Sequence, residues 1–142
     1  MSEVKAVHEA RIVDIMTTEV VTVTEGTTIK DLRDMFDRYD FNAFPVLRGE
    51  RVVGIVTKMD LLRAFHIGRS ASHGSVLDLF ADRVGDIMRR AVMHLGPEDS
   101  VGRAVEYMLE FKLRSLPVID QGKLVGMLAM KDILPYLAID RG

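Results

Sequence analysis

The chain contains no cysteine. That excludes a disulfide frame, a thiolate nucleophile and a zinc knuckle, and it fits a reducing compartment, so the cytoplasm is the expected location. A basic excess is also missing. Nineteen Lys and Arg stand against 21 Asp and Glu, net charge −2. A general nucleic-acid binder carries such an excess, so nucleic acid is not expected as the main partner. No apolar run approaches the roughly 20 residues of a membrane span. The opening stretch "MSEVKAVHEAR" has acids near its start and no long apolar core, which argues against a secretory signal. The four histidines, His8, His66, His73 and His94, show no metal-ligand spacing. No Ser nucleophile sits in a recognisable motif and no glycine-rich loop opens a helix, so an enzyme is not expected.

What is present is an ordinary globular composition: 142 residues, 48% apolar and 28% charged. That length suits one compact domain or two small, mutually dependent halves. Nine methionines, including Met35, Met108, Met127 and Met130, fall mainly in apolar runs and read as core filler.

The sequence repeats itself. Asp60 and Asp132 are 72 positions apart, and the same offset pairs Asp14-Ile15-Met16 with Asp86-Ile87-Met88, Pro45-Val46 with Pro117-Val118, and Val53-Gly54 with Val125-Gly126. A constant offset without gaps marks two copies of one unit, residues 11–62 and 83–134. Between them, 63–82 reads as a connection. It holds the polar small-residue stretch "GRSASHGS" (68–75) and a short helix beginning at Ser75 in "SVLDLFAD".

Each copy has the same order. A β-branched run comes first, "VVTVT" (20–24) or "AVMHL" (91–95). An amphipathic helix follows, with Ile29, Leu32, Met35, Phe36 and Tyr39 on one face in the first copy. Val101, Ala104, Val105, Met108 and Leu109 do the same in the second. Thr27 or Thr28, and Asp99 or Ser100, supply the N-caps. Two apolar runs split by "RGER" or "DQGK" then predict a β-hairpin, and a second helix starts at "TKMD" or "AMKD". Pro135 requires that last helix to be short or kinked. The expected class is α/β (α+β). Two β-α-β-β-α repeats would pack about a pseudo-two-fold axis, with small mixed sheets facing each other and helices outside.

Read alone, Thr57-x-x-Asp60 is a capping box where a strand meets a helix. A ligand site is the other reading of the same residues. In the second copy Ala129 stands where Thr57 does, so a cap and a potential ligand group are lost together. Arg89, Arg90, Arg114 and Lys131 belong to the second half. A cleft that borrows Asp60 from one repeat and cations from the other suits a nucleotide. Scattered surface charge is the plainer alternative.

The pieces "DIMT" and "DIMR", "NAFPVL" and "RSLPVI", and "VVGIVTKMD" and "LVGMLAMKD" resemble the CBS domain family, named for cystathionine β-synthase. The resemblance covers nearly the whole chain. It implies a tandem pair that binds an adenosyl ligand (AMP, ADP, ATP or S-adenosylmethionine) between the repeats and forms a homodimer. It also implies control of a partner protein. By this resemblance Asp60 accepts from the ribose hydroxyls and Thr57 supports the ribose or phosphate. Asn42 and Ala43, before Pro45, and Arg114 and Ser115, before Pro117, border the adenine and phosphates. Arg114 and Lys131 are phosphate partners. Thr22 and His94 flank the opposite repeat's site, and Met16 and Met88 lie near the cleft. The implied result is a stronger site at Asp60 and a weaker or empty one at Asp132. The rival expectation is a ligand-free dimerisation or protein-interaction module.

Overall fold

The computed structural model describes residues 9–70 and 82–137. The expected helix from Ser75, most of the small-residue connection, His8 and His73 lie outside the described residues. The fold is mixed α+β. In chain order its elements are β1 (Val23–Thr24), α1 (Ile29–Arg38), β2 (Ala43–Arg48), β3 (Arg51–Thr57), α2 (Lys58–Ser70), α3 (Val84–Ile87), α4 (Val101–Phe111), β4 (Ser115–Asp120), β5 (Lys123–Ala129) and α5 (Met130–Ile133). Among the described residues, no helix is long and apolar enough to cross a membrane.

The elements fall into two compact units that cut across the sequence copies. One is continuous, Val21–Val92; the other is split, joining residues up to Val20 with those from Met93 onward. Each sequence copy therefore lends its opening "DIM" segment to the unit built mostly from the other copy.

In the continuous unit β1 runs parallel to β2, and β2 is antiparallel to β3 with Ala43 opposite Thr57. Gly49 turns the hairpin at φ 64, a conformation that glycine adopts without strain. In the split unit β4 is antiparallel to β5 with Ser115 opposite Ala129, and Gln121 and Gly122 both take positive φ in the turn. A register shift recurs at the equivalent place in both hairpins, Val46/Leu47 and Val118/Ile119. The backbone has duplicated together with the sequence.

Helix starts follow the caps. The Thr28 and Ser100 hydroxyls accept from the Asp31 and Arg103 N–H groups at 3.1 Å. Thr27 and Asp99 instead brace the preceding turns by accepting from the Thr24 and Gly96 N–H groups. Helix α1 buries Ile29, Leu32 and Phe36, with Met35 and Tyr39 packed at the rim. Helix α4 buries Val101, Ala104 and Met108. Leu109 departs from expectation at 76% exposed. At 100° per residue it sits about a quarter-turn off the Val101–Met108 stripe.

Three further expectations are corrected. The opening strands are shorter than their β-branched runs. Only Val23–Thr24 forms a strand in the first copy, and in the second only Leu95 bridges to Val118. Residues before these points bridge the two units along the chain, and Pro97, lacking an N–H, cannot extend pairing after Leu95. Pro45 and Pro117, which lack a strand N–H and so suit a strand start or an edge, do not start their strands. Each is the third residue of its strand and fully buried. Helix α2 also runs to Ser70, past Leu62, where the repeat was expected to end. Its counterpart α5 stops after four residues, and Pro135 sits at the start of a 3-10 turn, Leu134–Tyr136. An interior proline removes a helical hydrogen bond, which explains the difference.

Each unit has its own core. Phe44, Val46, Val56, Leu32 and Val84 are fully buried in the continuous unit. Ile12, Val101, Leu116, Val118 and Leu128 are buried in the split unit.

Candidate ligand site

Strand β3 delivers Thr57 to the first turn of α2, and the box predicted there closes in both directions. The Thr57 N–H donates to Asp60 Oδ2 at 2.9 Å, and the Asp60 N–H donates to Thr57 Oγ1 at 3.1 Å. Among the described residues Asp60 is the one charged residue that is buried, 5% exposed. A buried carboxylate needs compensation, and two guanidinium groups supply it at Oδ1. Arg63 Nη1 lies at 2.9 Å and Arg89 Nε at 3.2 Å. Both arginine side chains are 53% exposed, so the cluster reaches from a buried acid to the surface.

Arg63 stands one helical turn beyond Asp60, a spacing that brings side chains together. Arg89 arrives from the "DIMR" segment. That segment is fixed to β3 by two backbone hydrogen bonds, Ile55 N–H to the Arg89 carbonyl at 2.9 Å and Arg89 N–H to the Ile55 carbonyl at 2.8 Å. The neighbouring Arg90 donates to Glu25 at 3.3 Å, and Arg48 donates to the same carboxylate. The Arg48 hydrogen bond, aided by Arg90, holds the Glu25 carboxyl below its ordinary value of 4.5, against the opposing effect of partial desolvation.

The split unit repeats this framework with different chemistry. Asp132 Oδ2 accepts from the Ala129 N–H at 2.8 Å, and Oδ1 accepts from the Thr17 hydroxyl at 3.1 Å. Only half a box forms, because Ala129 has no hydroxyl. Thr17 occupies the place of Arg89 and Pro135 the place of Arg63 at the 72-residue offset. The same carboxylate position is thus met by charged donors in one unit and by a neutral hydroxyl in the other.

The expected site residues divide by unit. Asp60, Thr57, Asn42, Ala43, Pro45 and Thr22 lie in the continuous unit. His94, Arg114, Ser115, Lys131 and Asp132 lie in the split unit. The Asn42 carbonyl accepts from the Lys58 N–H at 3.0 Å, and the Arg114 carbonyl accepts from the Met130 N–H at 3.0 Å. These bonds tie the start of each hairpin to the start of the following helix. Asn42, Arg114, Lys131 and His94 are exposed, Thr22 and Ser115 half-buried, and Ala43 buried.

Of the second-copy cations, Arg89 is the one shown to meet Asp60. Arg63 and Thr17 were not anticipated as partners. Arg63 carries an i,i+3 signal on the helix. Thr17 and Arg89 share a position directly after the repeated "DIM", which marks one structural role filled by two chemistries.

The sequence pattern of the CBS domain family matches residues 12–67 and 84–139. The uncharacterized protein MJ1225 of Methanocaldococcus jannaschii is 30% identical over 129 residues, which cover 88% of this chain and 46% of that protein. Its crystal structure superposes with a TM-score of 0.84 at 28% identity, covering 92% of this chain and 49% of that one. The inosine-5'-monophosphate dehydrogenase of Korarchaeum cryptofilum is 30% identical over 116 residues, 81% of this chain and 22% of the enzyme. The chain thus spans less than half the length of these curated relatives. The structure of CBSX2 in complex with AMP aligns with a TM-score of 0.77 at 25% identity, covering 88% of this chain and 93% of that one.

Proposed function

The chain belongs to the CBS domain family, and from that premise we propose that it is a regulatory module that senses an adenosine-containing ligand. The ligand class is AMP, ADP, ATP or S-adenosylmethionine. Asp60 takes the ribose hydroxyls, Thr57 stands beside it at the start of α2, and the Asn42-Ala43 stretch borders the base. In the split unit Asp132, with Ser115, Arg114 and Lys131, forms the weaker counterpart. The observation that carries this reading is a buried carboxylate at a helix start, backed by two half-exposed guanidinium groups. The ligand named for CBSX2, a relative of similar fold, is AMP.

Ligand binding regulates only when it favours one arrangement of the module over another. We place that difference in the module or in a homodimer of it, read by a partner protein. Calorimetry with the four ligands, on protein stripped of carried-over ligand, tests the reading. Millimolar or tighter binding of at least one, lost in Asp60→Ala, is expected. No binding to any of them overturns it.

One observation favours a second reading. Both oxygens of Asp60 already accept hydrogen bonds from the protein itself, as a purely structural cap would. A ligand-free interaction module would keep its partner binding in Asp60→Ala and lose only stability.

A further inference from the structure

We propose, resting on the adenosyl-ligand reading above, that Arg63 and Arg89 form an exchangeable clamp. It makes the Asp60 site select phosphate-bearing ligands over the bare nucleoside.

Asp60 Oδ2 is committed to the Thr57 N–H, and Oδ1 is shared by the two guanidinium groups. A carboxylate offers about four acceptor positions and three are taken, so a pair of ribose hydroxyls can bind there only by displacing or crowding a guanidinium. That exchange replaces an ion pair with a hydrogen bond from an uncharged donor to the same carboxylate. It also leaves a cation without its anion beside a carboxylate that remains buried. Adenosine brings ribose hydroxyls and an uncharged base but no anion, so the guanidinium it releases is left unpaired. A nucleotide brings its own anion. A guanidinium released from Asp60 can pair with phosphate oxygens through two of its five donors. Both arginine side chains are 53% exposed and have room to swing.

Asp132 provides the internal contrast. Its Oδ1 is held by the Thr17 hydroxyl, a neutral donor that ribose replaces on equal terms. Pro135 offers no donor in the place of Arg63. The discrimination is therefore a property of one unit, set by two side chains.

Calorimetry with AMP and adenosine on full-length Asp132→Asn, which isolates the Asp60 site, tests the clamp. AMP is expected to bind about tenfold more tightly than adenosine, the size of one charge-assisted hydrogen bond. Arg89→Thr, which installs the residue found at the equivalent position, should shrink that ratio by about fivefold or more. It should do so by weakening AMP while leaving adenosine unchanged or tighter. Arg63→Gln gives the same readout if Arg89→Thr fails to fold by circular dichroism. Equal affinity for AMP and adenosine in Asp132→Asn, or a ratio unaltered by both arginine substitutions, overturns the clamp. Adenosine and AMP binding equally well would leave the adenosyl reading standing. Silence from adenosine, AMP, ADP, ATP and S-adenosylmethionine alike would remove that reading and the clamp with it.

Discussion

Gly54 lies against the main chain of Arg89 so closely that a Cβ at residue 54 would stand 2.8 Å from the Arg89 carbonyl oxygen. It would also meet the Met88 sulfur at 2.8 Å. The contact recurs at Gly126, where a Cβ would be 3.0 Å from the Thr17 carbonyl oxygen and 2.5 Å from the Met16 sulfur. A methionine tip can move; a carbonyl held in a two-bond bridge cannot do so cheaply. Gly54→Ala and Gly126→Ala should each destabilise the protein by about 1–3 kcal/mol, the usual cost of overpacking. Urea denaturation measures this, and a loss below about 0.5 kcal/mol, the scatter of neutral surface changes, would contradict it. Gly54→Ala should also weaken nucleotide binding, because it pushes on the strand that presents Arg89.

The two helix starts differ by one hydroxyl, and the difference can be exchanged. Thr57→Ala should cost about 1 kcal/mol through loss of the N-cap. Ala129 has the extended backbone of an N-cap, φ −116 and ψ 161, and Asp132 already makes the reciprocal bond. Ala129→Thr should therefore stabilise the split unit by roughly 0.5–1 kcal/mol. Thermal melts of both variants against the parent check the opposite signs. Destabilisation by Ala129→Thr would mean that its Oγ1 cannot reach the Asp132 N–H.

Much of this is legible in the sequence. The 72-residue offset carried the element order, both hairpins, the helix faces and the box at Asp60, because each depends on local periodicity and turn chemistry. Leu109 was misplaced because an apolar residue at the edge of a stripe satisfies a counting rule without being buried. The strand ends were overestimated because β-branched residues mark extended chain, whether or not a partner strand is available. Arg63 and Thr17 escaped notice for another reason. Which donor reaches a buried carboxylate is decided by side-chain packing, and Thr17 is 115 residues from the acid it serves. No local pattern encodes that distance.

Acid should loosen the continuous unit through Glu25. Arg48 first, then Arg90, lower its pKa in the folded chain from 4.5. A carboxylate with a depressed folded pKa contributes stability above its unfolded value and loses it as pH falls through the folded value. The melting temperature of the parent should therefore exceed that of Glu25→Gln near neutral pH. The gap should narrow once the pH drops below 4.5. Added salt should narrow it as well, because these groups are near the surface. A gap independent of pH would show that Glu25 acts by shape alone.

The exchange of opening segments makes a sharper prediction, because it reverses what the sequence copies suggest. Ile12 belongs to the first copy, yet it is fully buried among Leu95, Val101, Leu116 and Val118. Its N–H donates to the Asp99 carbonyl at 2.8 Å. Val84 belongs to the second copy, yet it is fully buried with Val23, Ile29 and Phe44, and its N–H donates to the Thr27 carbonyl at 2.8 Å. Ile12→Ala should cost about 2–5 kcal/mol. Its loss of amide protection should appear first at Val118 and Leu128, in the split unit. Val84→Ala, a smaller truncation, should cost less and loosen Val46 and Val56 first. Hydrogen exchange resolved by residue decides between this and folding by sequence copy, in which Ile12→Ala would instead expose Val46 and Val56. The split unit's core is complete only when Ile12 meets residues from Leu95 onward, whereas every member of the continuous unit's core lies between Val23 and Met88.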